Sequence, residues 1–197
     1  MSDFLATMAE SSAVRAAQAP SFTDADFDKP LVPLALGAFD VIAEIKDRSP
    51  AEGDLATPES DRAERARQYA AGGAAAISVL TEPSRFAGSL AHLEEVAAAV
   101  PGVPVMRKDF LVDPVQVLEA RSAGASGVLL IINMLPDDVL HTMLDACFDN
   151  GMFVLLEGFD ADDLDRALQP IALERTNLDS AKGNFHAANA SGPGAHR

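Results

Sequence analysis

A β-like apolar run, a turn marked by Gly or Pro and an alanine-rich helical stretch follow one another again and again along this chain, and few architectures accept that order. The runs are VIAEIK from residue 41, AAAISVLT from 74, VPVMRKDF from 103, GVLLIIN from 127 and FVLLEGF from 153. Helical patterns lie between them at 60–71, 89–100, 114–123 and 137–150. Parallel neighbours cannot be joined by tight hairpins and need crossovers, so the alternation predicts an α/β fold with a parallel sheet. The runs begin about 24 to 33 residues apart, the pace of a (β/α) barrel, whose eight units need about 250 residues. The expected fold is therefore of the TIM-barrel type, incomplete, with about five of eight βα units in 197 residues. A doubly wound sheet would carry a Gly-rich dinucleotide fingerprint after its first strand, whereas Gly72 and Gly73 fall at a helix end, where glycine is an ordinary cap.

Ahead of the barrel, Asp3 to Ala19 places Phe4, Leu5, Met8 and Val14 at helical spacing, which predicts an extra N-terminal helix. Residues 1–40 are thus read as this helix and its connection, 41–168 as the partial barrel, and 169–197, rich in Ala, Asn, Gly and Ser, as a disordered or non-native tail. The formal net charge of −15 argues against nucleic acid and anionic membranes as partners. No apolar run approaches the roughly 18 residues of a membrane span, and no export signal is recognisable at the N-terminus, so a cytoplasmic address is expected. Cys147 is the only cysteine and is expected to serve as small apolar filler, which leaves no intramolecular disulfide and no multi-cysteine metal site. A small anionic substrate remains compatible with so acidic a chain only if the pocket brings its own cations, which directs attention to lysines at strand ends.

Period-two alternation along VIAEIK puts Ile42, Glu44 and Lys46 on one face and Val41, Ala43 and Ile45 on the other. The apolar set suits packing under helices, and Glu44 and Lys46 then project inward near the C-terminal end, where barrel enzymes build their sites. A structural inward salt bridge is the plainer alternative, because a charged pair inside a strand must be compensated. In VPVMRKDF the same parity groups Met106, Lys108 and Phe110 against Arg107 and Asp109. Glu157 shares a face with Phe153 and Leu155 near the end of the fifth run, a carboxylate placed for proton transfer.

The words EIKDRSPAEG, ISVLTEPSRFAGS, VPVMRKDF, the stretch Gln116 to Ala120, and LLEGFD, taken in this order, resemble indole-3-glycerol phosphate synthase, and the N-terminal helix matches the one that family places before its barrel. The resemblance runs from about residue 3 to residue 168. It implies ring closure and decarboxylation of 1-(2-carboxyphenylamino)-1-deoxyribulose 5-phosphate to indole-3-glycerol phosphate, a step of tryptophan biosynthesis, with no metal or organic cofactor. By motif, Lys108 is the general acid, Glu157 assists later proton transfers, and Glu44 with Lys46 is the further catalytic pair, Lys46 meeting the substrate carboxylate or acting in dehydration. Phe86, Phe110 and Leu130 match the wall of the anthranilate pocket, and for the aromatics plain core packing is an even alternative. Ser49 and Pro50 match the turn on the loop that approaches the substrate.

Two features depart from the family's pattern. Glu52 stands in SPAEG where the family commonly has a basic residue, with Arg48 as a partial offset, and Gly158–Phe159 replaces a valine–histidine type of pair. Beyond about Leu168 the family's asparagine–asparagine–arginine and glutamate–serine–glycine words are not found, so the strands that would hold the phosphate are expected to be missing. The competing expectation is a non-catalytic half-barrel, a remnant or an assembly partner, that self-associates or accepts a complementing chain through its open edges. Another phosphate-handling barrel enzyme of tryptophan or histidine biosynthesis is disfavoured by the joint EIK, KDF and LLE words.

Overall fold

The computed structural model describes residues 3–55, 61–174 and 188–189. Helix α1 (Asp3–Ala16) leads through an irregular connection into strand β1 (Ile42–Ile45), and a small antiparallel hairpin follows, β2 (Arg48–Ser49) with β3 (Gly53–Asp54). The chain then runs α2 (Arg62–Ala71), β4 (Ala76–Leu80), a one-turn helix α3 (Pro83–Phe86), α4 (Leu90–Ala99), β5 (Val105–Lys108), α5 (Val115–Ser122) and β6 (Gly127–Ile131). It continues through α6 (Asp137–Asp149), β7 (Phe153–Gly158) and α7 (Ala161–Glu174) to a two-residue strand β8 (Ala188–Asn189). The five recurring runs are the five long strands, in parallel order β1-β4-β5-β6-β7, and β8 adds to β7 through Glu157 opposite Ala188. Among the described residues β1 pairs in the main sheet only with β4, so the sheet is an open arc of (β/α) units and not a closed barrel. Helix α7 continues six residues past Leu168, the end expected for the barrel portion; the remainder of the expected tail lies outside the described residues apart from β8.

Helices begin where side chains satisfy their first free N–H groups. Asp61 accepts from Glu64 N at the start of α2, and Ser89 from His92 N at the start of α4. The core lies between the sheet and its helices: Ile77, Val79, Val128 and Leu130 on the strands meet Leu93, Val96, Val117, Leu140 and Met143. Cys147 belongs to this layer, fully buried, and burial pushes its thiol up to about 12, as expected of inert filler. At the free edge, apolar packing is less complete than the sequence predicts. Ile45 is buried, but Val41 is 51% and Ile42 40% exposed, because no described strand covers the far side of β1.

On β6 the structure places Leu130 differently from what the family resemblance implies. Leu130 was expected on the pocket wall, yet it is opposite Leu156 and belongs to the helix-packed layer, while Leu129 and Ile131 face inward with Leu155 and Glu157. The cause is visible at Gly127, paired with Phe153: a Cβ there would lie 2.5 Å from the Phe153 ring, so the missing side chain makes room for that ring and sets which residues face inward.

Candidate active site

A cavity of about 380 Å³ opens at the C-terminal ends of the strands. Glu44 and Lys46 reach it from β1, Leu80 from β4, Lys108 from β5, Leu129 and Ile131 from β6, and Glu157 from β7. The four charged residues singled out in the sequence therefore converge, as their shared parity predicts. Lys108 Nζ donates to Glu44 Oε2 at 2.6 Å, and Lys46 Nζ lies 3.5 Å from Glu44 Oε1, so one carboxylate bridges both ammonium groups. The plainer alternative of a structural pair accounts for Glu44 and Lys46 but leaves unexplained why Lys108 from a second strand and Glu157 from a third line the same cavity. Each lysine keeps partial exposure, with side chains 26% and 37% accessible for Lys46 and Lys108, which suits groups that must meet a ligand.

Aromatic side chains form the opposite wall. Phe86 and Phe110 both line the cavity with their ring centroids 6.1 Å apart, and Phe4 of α1 stands edge-on to Phe110 at 5.7 Å. The extra N-terminal helix thus contributes a wall residue, Phe4, that the sequence offered only as part of a helical stripe. Ser49 and Pro50 occupy the β2–β3 hairpin outside the cavity lining, where Ser49 Oγ accepts from Ala51 N. The Glu52 carboxylate on the same hairpin lies 3.7 Å from Lys46. Among the described residues Arg48 makes no ion pair with it; its guanidinium donates to the carbonyls of Ser84 and Arg85.

Two residues that sequence reasoning passed over shape this wall. Glu82 is fully buried and accepts from the N–H groups of Ser84, Arg85 and Phe86, which caps α3 and aims Phe86 at the cavity. A glutamate directly before Pro83, at the first position of a helix, was the available signal. Gly88 then passes so close to β4 that a Cβ would sit 2.3 Å from the Leu80 carbonyl. Gly88→Ala is expected to cost about 1–3 kcal/mol, since the neighbour is backbone and cannot swing aside; a urea midpoint unchanged from the native chain would contradict this close approach.

Among the described residues no cluster of three or more His, Cys, Asp or Glu side chains could hold a metal, and no helix is long and apolar enough to cross a membrane.

A family model described as indole-3-glycerol phosphate synthase matches residues 6–173. Proteins of that name are similar to this chain: one from Nocardioides sp. is 53% identical over 148 residues, which is 73% of this chain and 56% of the relative. Another, from Leifsonia xyli subsp. xyli, is 51% identical over 158 residues, 79% of this chain and 57% of the relative. A third, from Rhodococcus jostii, is 45% identical over 157 residues, 80% of this chain and 56% of the relative. The chain spans about half the length of the curated relatives it matches.

Proposed function

The chain belongs to the indole-3-glycerol phosphate synthase family, and from that premise we propose that it supplies the acid–base half of an indole-forming lyase site. The substrate is 1-(2-carboxyphenylamino)-1-deoxyribulose 5-phosphate. Its aromatic ring lies against Phe86 and Phe110, where flat apolar faces favour it. Lys108 donates a hydrogen bond and then a proton to the ketone oxygen as the ring carbon attacks the ketone carbon, so that no alkoxide has to form unassisted. The ring carboxylate leaves as CO2, its bonding pair returning to the ring. The new hydroxyl then leaves as water with a proton from Lys46, while the adjacent CH2 gives a proton to the Glu157 carboxylate and its bonding pair forms the indole double bond. Glu44, held between both lysines, keeps the two cations side by side without letting them repel each other out of the cavity.

The observation that carries this reading is the bridge of Lys108 and Lys46 through Glu44, facing Glu157 across one aromatic-walled cavity. The site works in the cytoplasm on this reading, and the free edges of the sheet receive further barrel strands, from a longer chain, a complementing chain or a second copy. Barrel enzymes bind phosphate on the loops after their last strands, and relatives matched over only 56% and 57% of their length have residues to spare for them. A steady-state assay following the fluorescence of the indole product tests the proposal. The 197-residue chain alone is expected to turn over little, and the same chain joined to the remaining barrel strands of a relative is expected to turn over well. Absence of product from the folded, completed barrel would refute the lyase reading.

A further inference from the structure

The residue after each inward lysine is an aspartate just past a strand end, and Asp109 borders the cavity with its side chain completely buried. Both are clamped by arginines. Asp109, whose side chain is completely buried, accepts from Arg15 of α1 at 2.8 and 3.1 Å, from Arg107 at 3.2 Å, from Thr81 Oγ1 at 2.7 Å and from Phe110 N at 2.8 Å. Arg107 is anchored in turn by the Gln116 carbonyl and Glu119, both at 2.9 Å. Asp47, with a side chain only 9% exposed, accepts from Arg62 of α2 at 2.8 and 2.6 Å, and Arg62 also reaches Glu95 of α4 at 3.4 Å. His92 lies 3.7 Å from Asp47, with burial and the Arg62 charge holding its imidazole below the usual range.

The lysines have no such clamp of their own. Among the described residues their ion pairs run only to Glu44 and, for Lys46, to Glu52, and both side chains are partly exposed. What aims them is the twist of the strand end that carries them. Rotation of that end would swing the lysine away from Glu44, just as a one-residue slip moves every side chain to the opposite face. We infer that Asp47 and Asp109 are positioning residues, each locking through its arginine contacts the lysine that precedes it. The inference rests on the proposed lyase reading for what the lysines do, but its test needs no turnover, so a failed assay and a failed clamp remain distinguishable.

The test is competitive acetylation of the full chain with acetic anhydride, read lysine by lysine by mass spectrometry, with Lys29 as reference on the connection ahead of β1. Asp109→Asn is expected to raise the labelling rate of Lys108 by about fivefold, the factor for freeing an ammonium from a partly exposed ion pair, and to leave Lys46 unchanged or slower as Glu44 turns to it. Asp47→Asn is expected to free Lys46 and spare Lys108. Equal acceleration of both lysines in either variant, or of neither, overturns the inference. Should circular dichroism show that Asp109→Asn does not fold, Arg15→Met and Arg15→Lys decide. Methionine is expected to accelerate Lys108 and lysine to restore most of the native rate, and equal rates in the two variants would overturn the clamp.

Discussion

Lys108→Ala, made in the chain joined to the remaining barrel strands of a relative, is expected to lower kcat by about 10²- to 10⁴-fold, the range typical of a lost general acid. The reason is local. Lys108 is the cation at the end of β5, it already donates to Glu44 at 2.6 Å, and a ketone oxygen arriving in the aromatic-walled cavity would compete for the same ammonium. Alanine would leave Glu44 with Lys46 alone at 3.5 Å, so the carboxylate stays paired and the fold should hold. The loss is therefore expected in kcat more than in KM, because the bond to the ketone oxygen strengthens as charge develops there. Lys29→Ala, at a surface ion pair with Glu94 outside the cavity, is the matched control and should leave turnover unchanged. Turnover that survives Lys108→Ala would move the acid elsewhere, with Lys46 the next candidate.

How far the sequence could be read depended on whether polar residues marked the faces of a strand. In β1 and β7 Glu44 and Glu157 have no charged neighbour, so parity marks their face. In β5 Arg107 and Asp109 flank Lys108, and there it is Met106 and Phe110 that share its face; the cavity gathers all four charges, Lys46 among them. In β6 the run GVLLI is apolar on both faces, as expected of a strand covered on both sides, and periodicity offers no choice between Leu130 and its neighbours. There the decision came from Gly127 against the Phe153 ring, a contact between residues 26 positions apart. The β2–β3 hairpin is too short to carry any pattern, and its role in bringing Glu52 to Lys46 follows only from the fold. Arg15 and Asp109, separated by 94 residues, each read as an ordinary charge beside a helix or strand end until α1 docks across β5.

That docked pair sets the second large effect: Asp109→Ala is expected to destabilise the chain by about 3–5 kcal/mol, the range for breaking a buried ion pair from one side. Alanine would leave the guanidinium of Arg107, 3% exposed, without one of its two carboxylate partners, and would release Arg15 and with it the end of α1. Asp109→Asn keeps the shape and should cost less, and its pH profile carries the sharper test. Burial by itself would push the Asp109 carboxyl up, but the charges of Arg107 and Arg15 and the Thr81 hydrogen bond outweigh it and hold the carboxyl below its ordinary value of 3.8. A carboxyl whose value is depressed on folding contributes stability that is complete above the unfolded value and is lost as pH falls through the folded one. The native chain should therefore lose this contribution as pH falls through about 3.8 and on through the lower folded value, and near neutral pH Asp109 should add no slope. Below it, Asp109→Asn has no proton to take up at this position, so its urea midpoint should fall less steeply with acid than that of the native chain. Parallel acid slopes for the two proteins would mean that Asp109 does not hold its charge in the fold, and the clamp on Lys108 would lose its electrostatic basis.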